Sequence, residues 1–302
     1  MKNNNSGRMQ LAADGSDDIL IYLNDEAAKA LKSDIEEDNV PKSISTGIKM
    51  DITSGNDQID SENVVAFIKG TEKSDEYVII SSHLDHIGIT GDGQINNGAD
   101  DDGSGTTGVM EIAEAFAQAA KEGNRPRRSI LFLNVTGEEK GLLGSAYYAD
   151  NPLFPIENTV NNLNIDMIGR VDPEHEESGN RDYVYVIGSE KLSSHLKVIS
   201  EFANITYTNI DLDYRYDDPN DRNRFYYRSD HYNFAKKGIP IIFYFNGTHA
   251  DYHRPTATVD KIEFDVMAKR AQLIFHTAWI LANRDARTPV DRQDDMDYNS
   301  RD

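Results

Sequence analysis

The chain has 302 residues, with 31 Lys and Arg against 52 Asp and Glu, for a net charge of -21 at pH 7. That balance argues against nucleic acid or an anionic membrane surface as a partner, because phosphate neutralisation needs clustered cations. There is no Cys, so disulfides and thiolate metal sites are excluded, and no apolar run reaches the roughly 18 residues that read as a membrane-spanning helix.

In chain order, residues 1–18 are polar and expected to be disordered, with no apolar stretch of the signal-peptide kind. Residues 19–40 read as a short strand and a helix capped by Asn24 or Asp25. The main domain starts near Gly47: IKMDI, NVVAFIKG and YVIISS read as strands, followed by a Gly/Asn/Asp-rich loop over residues 88–105. Val109, Ile112, Ala113, Phe116 and Ala120 recur at helical spacing and predict a helix over residues 106–122. SILFLNV is a nearly continuous apolar run, as in a strand of a buried parallel sheet. LLGSAYYAD then reads as a helix, VNNLNI and YVYVIG as strands, and residues 191–204 as a helix. Residues 211–228 form a long polar, aromatic-rich loop, and loops this long inside a domain are usually functional. HYNFAKKG reads as a helix, IPIIFYF as a strand and residues 264–283 as a closing helix. We therefore expect three segments: residues 1–46, a catalytic domain over residues 47–283, and an acidic unstructured tail over residues 284–302. Strands alternating with helices argue an α/β fold.

His83, Asp101, Glu138, Glu139, Asp166 and His253 each follow an apolar β-like run or a Gly-rich loop attached to one. In open α/β sheets, sites form in the crevice at the carboxyl ends of the strands. The pattern therefore gathers scattered carboxylates and imidazoles in one place, as a two-metal hydrolase requires. Asp85 is a candidate to orient His83 by accepting its second ring N–H. One acid of GADDDGSG could bridge two cations. In the adjacent pair Glu138 and Glu139, one carboxylate could bind metal while the other deprotonates a water. Asp166 stands in the apolar run LNIDMI, where an unpaired acid is costly to bury. An EF-hand reading of residues 100–111 fails because DGQINNGA cannot supply the preceding helix. His175-Glu176 has no second His for HExxH, and neither GxSxG nor a P-loop occurs. Two neutral imidazoles and three carboxylates carry a charge that two divalent cations and a hydroxide would balance. Imidazole with oxygen ligands suits Zn²⁺, with Co²⁺ or Mn²⁺ as substitutes.

The segments SSHLDHIG, NNGADDDGSG, TGEEKGLLGSAYY, NIDMIG, RSDHYNFAKKGIP and DYHRP, in that order, resemble metallopeptidase family 28, the co-catalytic di-zinc aminopeptidases. The resemblance implies a three-layer α/β/α fold around a mixed, mostly parallel sheet. It implies that His83 and Asp166 bind one zinc, Glu139 and His253 the other, and that Asp101 bridges them. Glu138 would be the general base acting with a hydroxide shared by the metals, and Asp85 would orient His83. Tyr226 falls where some relatives place an oxyanion-stabilising tyrosine; Arg228 and Asp230 would shape the site floor. The implied activity is release of N-terminal residues from peptides with a free N-terminus. Glutamate-carboxypeptidase-like and glutaminyl-cyclase-like chemistry are the alternatives, with Arg215, Arg222 and Arg224 as possible clamps for a terminal carboxylate. The family's last motif usually runs His-x-Pro-x-Asp-Thr. Here the Asp position is Ala257, which predicts weakened activity or an inactive binding homologue unless Asp260 compensates. Relatives are mostly exported, so a secreted or periplasmic location is expected, and residues 1–46 would be a remnant of a protease-associated region.

Overall fold

The computed structural model describes residues 25–35, 37 and 59–293. The chain divides into two units, Ala12–Asp60 and Met1–Leu11 with Ser61–Asp302. In the first, helix α1 (Asp25–Leu31) carries Asp25 and Glu26 in its first turn and Lys29 in its last, which complements the helix dipole. The expected strands ILIYL and IKMDI lie outside the described residues.

The second unit is built on a seven-stranded sheet of order β1-β3-β2-β4-β7-β5-β6. Its strands are β1 (Val64–Ile68), β2 (Lys73–His83), β3 (Arg128–Val135), β4 (Thr159–Ile165), β5 (Tyr183–Ile187), β6 (Asp211–Asp213) and β7 (Ile241–Phe245). Pairings β2–β3, β2–β4, β4–β7 and β5–β6 are parallel; β1–β3 and β5–β7 are antiparallel. The sheet is thus mixed and mostly parallel, with β2, β3, β4 and β7 ending at the same edge.

Side chains alternate across the sheet. Val78, Ile80, Ile130 and Phe132 pack on one face with helices α2 (Gly103–Lys121), α5 (Leu196–Ala203) and α7 (Phe264–Asn283). Tyr77, Ile79, Leu131 and Leu133 pack on the other with α3 (Leu143–Asp150) and α6 (His231–Ala235). Both faces are covered, giving α/β/α layers, which is why β3 is buried at every position and apolar from Ile130 to Leu133 and at Val135. Phe116 on α2 is fully buried, a burial that contributes about 1.5–3 kcal/mol. The buried Arg270 of α7 donates to the carbonyls of Tyr183, Ile168 and Arg170, tying the segment after β4 to the helix layer.

Three features depart from the sequence reading. A short helix α4 (Pro173–Ser178), capped by Asp172, was not anticipated. The polar loop over residues 211–228 contains β6, whose three residues are too few for a period-two signal, and two 3₁₀ turns. The start of the expected tail is held down: Arg287 donates to Glu76 Oε1 and the Glu157 carbonyl, and Asp291 accepts from the Ser194 N–H. Residues 294–302 lie outside the described part.

Candidate metal centre

The shared strand edge positions the site. His83 is the last residue of β2, Asp166 directly follows β4, and Glu138 and Glu139 sit in the turn after β3. His253 lies on the loop after β7, and Asp101 directly precedes the N-cap of α2. The structure brings all six together. The Asp101 carboxylate presents one oxygen to each half of the group. Its Oδ1 is 3.2 Å from His83 Nε2, and its Oδ2 is 3.0 Å from His253 Nε2. His83 Nε2 is also 3.7 Å from Asp166 Oδ1. His253 Nε2 is 3.3 Å from Glu139 Oε2.

Of the three consecutive acids, two are used by the protein itself. Asp102 accepts the N–H groups of His83, Gly105 and Met167. Asp100 accepts from the Gly169 N–H and Ser104 Oγ, and its other oxygen takes the Nε2–H of His249 at 3.0 Å. Only Asp101 faces the cleft, so the calcium-loop alternative has no ligand oxygens to spare at positions 100 and 102.

Asp85 supports the site differently from expectation. His83 Nδ1 donates to the Asp85 main-chain carbonyl at 3.0 Å, which leaves the Nε2 lone pair aimed at the acids. The Asp85 carboxylate, 3.7 Å from that nitrogen, instead accepts the N–H groups of Glu138 at 3.1 Å and Glu139 at 3.3 Å. It therefore fixes the turn after β3 and orients His83 through its backbone. Gly137 begins this turn at φ 68°, a left-handed conformation, with Leu143 3.2 Å from where a Cβ would stand.

Tyr226 does not line the cleft. Its ring is buried against Gly188, and its carbonyl accepts from His231 Nε2 at 2.7 Å. The 3₁₀ turn Phe225–Tyr227 directs Phe225 toward the cleft instead, and the tyrosine at the cleft is Tyr252, stacked on His253 at 3.9 Å. Arg228 lines the wall, its guanidinium 4.8 Å from the Phe225 ring centroid and donating to Tyr252 Oη at 3.4 Å. Asp230 is completely buried and absent from the cleft wall; burial pushes its carboxyl up to about 7. Arg215 is committed to Glu174 and Asp213.

The loop carrying His253 is anchored without a carboxylate at 257. Asp251 pairs with Lys261 Nζ at 2.7 Å and Arg170 Nη1 at 3.2 Å, and its N–H donates to His249 Nδ1. Ala257 is buried, and Asp251 rather than the exposed Asp260 does the anchoring. Met167 and His253 hold left-handed φ values of 61° and 55°, a cost of about 1–3 kcal/mol each that tends to collect at functional sites.

The electrostatics call for cations. Asp101, Glu138, Glu139 and Asp166 line one cleft of about 350 Å³. Among the described residues their ion-pair partners are His83, His86 and His253, with no Lys or Arg. Burial opposes ionisation of Asp101, but the His253 and His83 rings outweigh it and hold the carboxyl well below its usual range. Burial, reinforced by Asp166 and Asp230, pushes Glu138 well above its usual range against the pull of His83. Buried His83 Nε2, His86 Nδ1 and Glu139 Oε1 have no hydrogen-bond partner, and such orphans require an explanation. Metal ions supply one, and imidazole plus carboxylate donors fit zinc. The residues missed from the sequence are His86, visible only as a second His in HLDHIG, and the loop-holding His249 and Tyr252.

The pattern of Peptidase family M28 matches residues 63–278. A Leptosphaeria maculans protein named "probable zinc metalloprotease" is 27% identical over 260 residues, covering 73% of this chain and 57% of that relative. An Arabidopsis thaliana protein named "probable glutamate carboxypeptidase" is 36% identical over 105 residues, covering 34% and 14% of the two chains. The solved zinc aminopeptidase of Bacillus subtilis shares the fold, with TM-score 0.57 and 20% identity over 76% of this chain and 52% of that one. The chain spans about half the length of the relatives that match along most of it. With a family match over residues 63–278, most of the second unit, this chain belongs to peptidase family M28.

Proposed function

We propose that the chain is the catalytic domain of a di-zinc exopeptidase, an aminopeptidase acting on peptides with a free N-terminus. The observation that carries the reading is the Asp101 carboxylate, with one oxygen toward His83 and the other toward His253. His83 and Asp166 would hold one ion, Glu139 and His253 the other, and Asp101 would contact both. When bound, zinc polarises the scissile carbonyl and lowers the pKa of water. Glu138 lines the cleft beside these residues and would take a proton from the attacking water, then return it to the leaving amine. Asp85 keeps Glu138 in place by accepting its N–H. Phe225, Phe243, Phe245 and Tyr252 form an apolar wall for a substrate side chain. Export from the cytoplasm is part of the proposal and rests on family resemblance, as does a catalytic domain running over residues 47–283.

One observation favours a second reading. Arg228 is a cation on the cleft wall, and it could bind a substrate carboxylate, as carboxypeptidase chemistry requires. Release of p-nitroaniline from free and N-acetylated aminoacyl anilides, with and without chelator, separates the two. Chelator-sensitive cleavage of free-amine substrates alone supports the aminopeptidase. Failure on both, with zinc bound and a C-terminal glutamate released from acylated dipeptides, supports the alternative.

A further inference from the structure

His86 lies three residues beyond His83, on the segment that turns over the site after β2 ends. Its side chain is only 10% exposed. Its Nδ1 stands 2.9 Å from Glu139 Oε1 and 4.0 Å from Asp101 Oδ2. At 2.9 Å an N–H and a carboxylate ordinarily form a hydrogen bond. Here the contact does not meet hydrogen-bond geometry, and His86 Nδ1, His86 Nε2 and Glu139 Oε1 are all buried without a partner. One ring nitrogen of His86 and one oxygen each of Asp101 and Glu139 lie within 4.8 Å of one another, close enough to surround one common point.

The surrounding spacing says what belongs at that point. His253 Nε2 lies 3.0 Å from Asp101 Oδ2 and 3.3 Å from Glu139 Oε2. Ligands about 2.0–2.2 Å from a zinc ion stand roughly 3.3–3.6 Å from one another at tetrahedral angles, and the contacts among these four residues, from 2.9 to 4.0 Å, bracket that range. The ring is also accommodated by design of the backbone: Gly98 has φ 61°, and a Cβ there would meet His86 Cγ at 2.8 Å.

We propose that His86 is a further protein ligand, through Nδ1, of the metal ion held by Glu139, His253 and Asp101. This rests on reading the cluster as a zinc site. That position then has two imidazoles, the His83 position one. Additional nitrogen donors favour zinc and cobalt over manganese or magnesium there. They also make retention of that ion less dependent on His253, which is 36% exposed on its loop. The rival role is a hydrogen-bond donor that orients Glu139 without touching metal.

The test uses the full chain, stripped with a chelator and reloaded with Co²⁺, reading stoichiometry, affinity by chelator competition, and the visible cobalt spectrum. The variants are His86→Ala, His86→Asn, His253→Ala and the His86→Ala/His253→Ala pair, each checked for folding by circular dichroism. An Asn amide nitrogen can replace a ring N–H as a donor to Glu139 but is a poor metal ligand. We expect both His86 variants to hold the second ion about 10–100-fold more weakly, with an altered spectrum and the first ion unaffected. His253→Ala keeps a measurable second ion and the pair loses it. Wild-type affinity and spectrum in His86→Asn would overturn the ligand role. A wild-type chain that binds no cobalt would instead overturn the metal-site reading beneath it.

Discussion

Replacing Glu138 by Gln separates activity from stability in a way the structure makes specific. Among the described residues the Glu138 carboxylate makes no hydrogen bond that an amide would lose; its main-chain N–H, held by Asp85, is untouched. Its carboxyl is raised well above the usual range by burial, with Asp166, Asp230 and Asp101 adding to the shift, so the native fold already disfavours its charge. A neutral isostere therefore relieves repulsion, and the melting temperature of the chelated protein should hold or rise. Turnover should fall sharply, because proton transfer by a positioned base contributes about 10²–10⁴-fold, or about 2.7–5.4 kcal/mol at 1.36 kcal/mol per decade. The assay is kcat on a free-amine aminoacyl p-nitroanilide, alongside zinc content and a thermal melt. Near-wild-type kcat would refute the role of Glu138 as base. Loss of a zinc ion with the carboxylate would show that it is a ligand.

His231 should make stability fall in acid. It is fully buried with its pKa lowered to about 3, chiefly by burial, and it stacks on Phe243. An unfolded His takes up its proton near pH 6.5, so from there down to about pH 3 the unfolded state binds more protons and stability drops, by up to about 1.4 kcal/mol per pH unit. Denaturant melts from pH 7 to 4 of the wild type and His231→Gln check this; equal slopes would contradict it. Gly137→Ala should cost about 1–2 kcal/mol, the penalty of a left-handed conformation for a residue with a Cβ, and should lower kcat by displacing Glu138; an unchanged melting temperature would count against the argument. Asp85→Ala removes the acceptor for two N–H groups. It should lower kcat at least tenfold while His83 keeps its Nδ1 bond to a main-chain carbonyl, so zinc content at the His83 position is the control, and its loss would show that the carboxylate acts on His83 after all.

Local patterning determined most of the architecture. The segments ending at His83, Val135 and Phe245 are strands with continuous apolar cores, as a two-faced buried sheet favours, whereas β4, ending at Ile165, buries Asn161, Asn162 and Asn164 among its apolar residues. Residues placed just beyond such runs converge when the strands are parallel, so the gathering of the six candidate residues at one strand edge was legible without coordinates. The division of labour among neighbours was not. Asp100, Asp101 and Asp102 are chemically identical in sequence, and beside the local contacts to Ser104 and Gly105 long-range partners separate them: His249 and Gly169 for Asp100, and Met167 and His83 for Asp102. The same holds for Asp85, whose main chain and carboxylate serve different elements, and for Tyr226 and Tyr252, which a 3₁₀ turn and a loop from distant parts of the chain place away from the cleft and at it. Hydrogen bonds between residues far apart in the chain depend on which loops meet at the strand edge, and that is decided by tertiary packing alone.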